Sequence, residues 1–88
     1  MTYRIEWTPQ ALAQVRKLDR QVGRRLATKI TRLAADPAPP GCRASKGQPA
    51  GTYRIRIGDC RLVYVVDGAE LIVLVVHVAH RGEVYRGL

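Results

Sequence analysis

Phenylalanine is absent from these 88 residues, and tryptophan and methionine occur once each. A core must therefore come from Val, Leu, Ile and Ala, within an apolar fraction of 47%. Cysteine is scarce too: Cys42 and Cys60 have neither metal-ligand spacing nor a Cys-x-x-Cys neighbour. Small secreted domains held by disulfides carry more, so both are expected as reduced thiols in a cytoplasmic protein. The seven acidic residues are scattered and neither histidine has a partner at ligand spacing, which argues against a metal centre; no cofactor is expected. The longest apolar run, Leu71 to Val76, falls far short of the roughly 20 residues that span a bilayer. Residues Met1 to Trp7 hold no apolar run of signal-peptide length. A soluble protein without membrane association is expected. The length suits a single domain over 1–88, small enough to gain from a stabilising partner.

What is abundant is positive charge. Fifteen basic residues against seven acidic ones leave +8, and twelve of the fifteen are Arg. That excess fits nucleic acid or an acidic protein as partner. A solvated surface can use Lys equally well, whereas the planar guanidinium matches phosphate with a fork of donors.

Tyr3-Arg4-Ile5-Glu6-Trp7 alternates apolar and polar residues and predicts a half-buried strand. Thr8-Pro9 then starts a helix, with Thr as cap and Pro in the first turn, and Ala11, Leu12, Val15 and Leu18 form its apolar stripe. A break near Asp19 to Gly23 leads to a second helix that aligns Val22, Leu26, Ile30 and Leu33 and ends at Asp36-Pro37. Pro37 to Gly51 holds four of the five prolines and reads as an irregular connector. A meander follows: a strand over Tyr53–Ile57, a Gly58-Asp59 turn, a strand over Cys60–Val66, a hairpin signal at Asp67-Gly68, and a strand from about Ala69 to Val78. This last strand is apolar on both faces, which predicts a central place in the sheet. The expected fold is α+β: a two-helix hairpin packed on a mostly antiparallel four-stranded sheet, in the order β-α-α-β-β-β. No internal repeat is visible.

The Gly58-Asp59 turn carries the sharpest expectation. A two-residue loop pairs Ile57 with Cys60, Arg56 with Arg61 and Arg54 with Val63, and opposed residues share a face. Arg54, Arg56 and Arg61 then converge on one face, with Tyr53, Ile55, Ile57, Leu62 and Tyr64 on the other. Opposed like charges destabilise a sheet by roughly 0.2–1 kcal/mol per pair, so three converging arginines make sense if an anion is bound there. Arginines that splay into solvent and keep the face wet are the plainer alternative. The end of the chain adds His80, Arg81 and Tyr85. Arginine can bind a scissile phosphate and stabilise developing charge, histidine titrates near neutrality, and tyrosine can move a proton or stack on a base. Without a metal, such a group would use the 2′-OH of RNA as nucleophile, which selects RNA over DNA. His77, inside the apolar strand, reads as structural.

Three stretches resemble the RelE/ParE superfamily of toxins from type II toxin–antitoxin systems. They are the opening strand and Thr-Pro helix with Val15-Arg16-Lys17-Leu18, the hairpin Gly51 to Tyr64, and the ending Val78-Ala79-His80-Arg81-Gly82-Glu83-Val84-Tyr85. The resemblance covers nearly the whole chain and implies two helices on an antiparallel sheet. For the RelE branch it implies an endoribonuclease that cleaves messenger RNA on the ribosome, inhibits translation and leaves a 2′,3′-cyclic phosphate. It also implies an acidic antitoxin that wraps the toxin, with operator DNA reached only through that complex. Matched position by position, Arg54, Arg56 and Arg61 correspond to the family's basic hairpin residues, Arg81 to the basic residue near the leaving group, and Tyr85 to the C-terminal aromatic. The best-known RelE members have lysines at the positions of Arg54 and Arg56. Arginine is a poor general base, so either His80, Tyr85 or Glu83 takes that role or the site relies on electrostatic stabilisation and is slow. Two other readings share the scaffold: a ParE-like, non-enzymatic inhibitor of DNA gyrase, and a basic module that binds nucleic acid or antitoxin.

Overall fold

The alternating segment at the start forms β1 (Arg4–Trp7). Helix α1 (Pro9–Arg16) follows at once, because the Thr8 hydroxyl accepts from the Ala11 N–H at 3.1 Å and Pro9 sits in its first turn. Helix α2 (Arg20–Leu33) is capped by the Asp19 carboxylate, which accepts from the Gln21 N–H at 3.1 Å. The break between the helices is thus shorter than the sequence implied, and Gly23 lies inside α2. A side-chain cap needs only one residue to start a helix.

A computed structural model of the chain describes residues 2–44, 47–48 and 51–80. Beyond the helices lie β2 (Arg43–Ala44), β3 (Thr52–Ile57), β4 (Cys60–Asp67) and β5 (Ile72–His80), in a five-stranded sheet of order β1-β5-β4-β3-β2. The α+β architecture holds with one strand more than the four expected. The extra strand is the two-residue β2, inside the connector read as irregular, where Arg43 pairs with Arg54 and Ala44 with Tyr53. Pairs β2–β3, β3–β4 and β4–β5 are antiparallel, whereas β1 lies parallel to β5, which occupies an interior place as its two apolar faces predicted. Strand β5 begins at Ile72 rather than Ala69. The Asp67 carboxylate accepts from the N–H groups of Ala69 and Glu70 at 3.0 Å each and so extends the turn.

Both helices cover one face of the sheet. Ala11 of α1 and Leu26, Ile30 and Leu33 of α2 form one buried cluster with Cys60, Leu62, Tyr64, Val73, Val75 and Val78. At about 25 cal/mol per Å² of apolar surface removed from water, this layer is the main source of stability. The other face is left for the polar side chains of β3 and β4.

Two glycines hold the hairpins. Gly58 has φ +59°, which the tight turn between β3 and β4 requires and L side chains rarely adopt. Gly51 has φ +89°, and a Cβ there would stand 2.9 Å from the Val66 carbonyl oxygen.

Candidate functional site

Across the Gly58-Asp59 turn, Ile57 pairs with Cys60, Arg56 with Arg61, Ile55 with Leu62 and Arg54 with Val63, the register set by a two-residue loop. Leu62 and Tyr64 are fully buried beneath the helices, while Arg54, Arg56 and Arg61 are exposed on the opposite face. These three arginines line a common cleft of about 440 Å³ with Gly41, Arg43 and Ile55.

Arg43 is the member that the sequence did not reveal. It stands directly across from Arg54 at the edge of the sheet, so the face carries two opposed arginine pairs, 43 with 54 and 56 with 61. Its only signal was a basic residue in a proline-rich connector, where nothing local predicts pairing.

No carboxylate among the described residues pairs with the cluster. Among the described residues the ion pair is Arg4 with Glu6, Nε to Oε2 at 2.8 Å, on the distant β1 edge. Arg56 donates from Nε to the Gly58 carbonyl at 3.2 Å, which draws its guanidinium toward the turn. Neighbouring cations without carboxylates raise the local positive potential and concentrate anions.

The two histidines lie on opposite faces of the sheet. His80 pairs with Cys60 and so shares the helix-covered face. It lines a smaller cleft, about 150 Å³, with Val22, Arg25 and Leu26 of α2 and with Asp59 and Cys60 of the hairpin. His80 therefore does not join the arginine cleft. His77, paired with Val63, lies on the arginine face and is exposed; its Nδ1 is 3.1 Å from the Gln14 Nε2. The cause is a β-bulge. The register shifts between Val63 and Tyr64, whose partners are His77 and Val75, leaving Val76 as the extra residue. One extra residue inverts the in–out alternation of all that follows. Without it, strict alternation from the buried Val73 and Val75 would turn His77 inward and His80 outward. Gln14 steadies the bulged stretch, since its Oε1 accepts from the Val78 N–H at 2.7 Å where β1 no longer covers the strand. Arg81, Glu83 and Tyr85 lie outside the described residues.

Among the described residues no three His, Cys, Asp or Glu side chains gather as a metal-binding group, and no disulfide joins Cys42 to Cys60. No helix there is long and apolar enough to cross a membrane. The arginine cleft can hold an anion such as a phosphodiester and stabilise charge that develops on it. Its guanidinium groups cannot accept a proton.

The chain's similarities agree with this architecture. The family described as the ParE toxin of type II toxin-antitoxin system, parDE, matches residues 5–85. A RelE-like toxin protein of Escherichia coli is 29% identical over 81 residues, 92% of this chain and 85% of that protein. The Escherichia coli toxin RelE, solved in complex with an antitoxin RelB peptide, superposes with a TM-score of 0.75 at 31% identity, over 99% of this chain and 94% of that one. The archaeal RelE–RelB complex of Pyrococcus horikoshii superposes with a TM-score of 0.80 at 25% identity, over 93% and 98%.

Proposed function

We propose, from the premise that this chain belongs to the ParE toxin family of type II toxin–antitoxin systems and so to the RelE/ParE superfamily, that it is a toxin of the RNA-cleaving kind. The observation that carries this reading is the cleft of Arg43, Arg54, Arg56 and Arg61 on an uncovered sheet face, with no carboxylate partner among the described residues. A cradle of guanidinium groups suits a strand of phosphodiesters. It contributes nothing to a surface that only has to stay wet.

In the proposed reaction, Arg54, Arg56 and Arg61 bind the scissile phosphate of messenger RNA in the ribosome. The ribose 2′-oxygen attacks phosphorus and its proton passes to a base. The bond to the 5′-oxygen breaks and that oxygen takes up a proton, leaving a 2′,3′-cyclic phosphate. No metal ion enters this scheme. Arg81 stabilises the leaving group. His80 faces the helix layer, which leaves Tyr85 or Glu83 as the base. The proposed partner is an acidic antitoxin in the cytoplasm, as the RelE neighbours are seen with RelB. The +8 charge suits it.

A second reading has one specific support, the match to a family described by ParE: a non-enzymatic inhibitor of DNA gyrase on the same fold. A brief pulse of expression separates the two. The ribonuclease predicts immediate arrest of translation and new transcript 5′ ends, both abolished by Arg81→Ala or Tyr85→Ala in a folded protein. Intact transcripts with early DNA damage, or undiminished toxicity of the folded double variant, would overturn it.

A further inference from the structure

Arg43 reaches the cleft from a strand of only two residues, at the sheet edge, on a connector with little regular structure of its own. A strand that short cannot hold its own register. What holds it lies on the other side of the sheet. The Tyr64 ring is fully buried in the core and stacks on Tyr53, with ring centroids 5.9 Å apart. Its hydroxyl donates to the Pro37 carbonyl at 2.8 Å, just where the connector leaves α2. The Cys42 side chain lies beside the same hydroxyl, and the Cys42 N–H donates to the Pro39 carbonyl at 3.1 Å. One phenol thus touches the connector at its start and again at the residue before Arg43. A rigid core side chain sets the path of a segment whose next residue enters the cleft.

We propose that Arg43 is a fourth phosphate-contacting residue of the cleft, and that the Tyr64 hydroxyl is its positioning residue, acting through Pro37 and Cys42. The assignment rests on the reading of the cleft as an RNA site and adds the side that the hairpin arginines do not supply. Arg54, Arg56 and Arg61 come from one rigid hairpin, whereas Arg43 closes on Arg54 from the neighbouring edge. The bound strand therefore runs across β3 from the turn toward β2, with one further phosphate at Arg43. Tyr64 touches no RNA, and its effect passes entirely through the connector.

The test is binding of a short 2′-O-methylated, and so uncleavable, single-stranded RNA to the full chain over a range of salt. Each phosphate contact contributes about 0.7 to the slope of log affinity against log salt for single strands. Arg43→Ala is expected to lower the slope by about 0.7 and the affinity by roughly tenfold, the scale of one charge-assisted hydrogen bond. Tyr64→Phe keeps the buried ring and is expected to lower both in the same direction. In the Arg43→Ala background, Tyr64→Phe is expected to change nothing further. Loss of stability alone would leave the slope unchanged and act equally in both backgrounds, so the non-additivity separates positioning from folding. If Tyr64→Phe does not fold, two glycines inserted between Pro40 and Gly41, which sever the tether from the Pro37 anchor, take its place in the cycle. Equal losses from the Tyr64 or insertion variant in both backgrounds overturn the positioning role. Loss from Arg54→Ala with none from Arg43→Ala overturns the fourth contact alone. No loss from either overturns the RNA cleft itself.

Discussion

The opposed pair Arg56–Arg61 ties stability to function, and replacing Arg61 by Glu tests both at once. In a two-residue hairpin the closing pair, Ile57–Cys60, exchanges the hydrogen bonds. The next pair outward is then non-hydrogen-bonded, the closer kind, with Cα atoms about 4.5 Å apart. Arg56 and Arg61 are that pair. Like charges directly opposed on neighbouring strands cost about 0.2–1 kcal/mol. Arg61→Glu removes the repulsion and adds an exposed attraction of similar size. The fold is expected to gain about 1 kcal/mol, which raises the melting temperature of so small a domain by about 4–8 °C. Thermal unfolding followed by circular dichroism at low salt measures it. The gain must shrink in about 1 M salt, where the screening length is near 3 Å. Added inorganic phosphate should stabilise the parent protein and not the variant, since a ligand stabilises only a fold that binds it. A variant that melts at or below the parent at low salt, or a gain that survives high salt, would refute the claim that these arginines are held together against their own repulsion.

Other expectations concern what holds the site. Gly58→Ala meets open space, so it should cost only the left-handed backbone term of about 1 kcal/mol, whereas Gly51→Ala also drives a Cβ to 2.9 Å from the Val66 carbonyl oxygen and should cost more; urea unfolding ranks the two. Gln14→Ala leaves the Val78 N–H without its acceptor and should destabilise by about 1–3 kcal/mol, while Gln14→Glu, which keeps an acceptor, should cost less. Burial first, and the Cys42 thiol next, push the Tyr64 phenol well above its ordinary value of 10.0. The unfolded chain loses that proton first, so this contribution is intact below pH 10 and declines as pH rises beyond it, by at most about 1.4 kcal/mol per unit. Denaturation at pH 9 to 11 should show a shallower decline in Tyr64→Phe than in the parent.

The local sequence was enough wherever one covalent neighbourhood sets geometry. Thr8-Pro9 starts α1, and Gly58-Asp59 fixes the hairpin register, because a two-residue loop admits one pairing and that pairing places Arg54, Arg56 and Arg61 on one face. The helix stripe of Leu26, Ile30 and Leu33 was legible for the same reason: a 3.6-residue period belongs to the chain itself. Three features needed the folded molecule. Arg43 joins the cleft through the edge pairing of β2 with β3, in a connector where no short-range pattern marks a strand. The parallel pairing of β1 with β5 joins segments nearly seventy residues apart, which no short-range pattern encodes. The exchange of His77 and His80 between faces follows from the bulge at Val76, in a strand so uniformly apolar that its alternation carried no phase. Periodicity and turn chemistry act over a few residues and can be read along the chain. Phase slips and edge strands are settled by what packs against them, and only the tertiary structure supplies that.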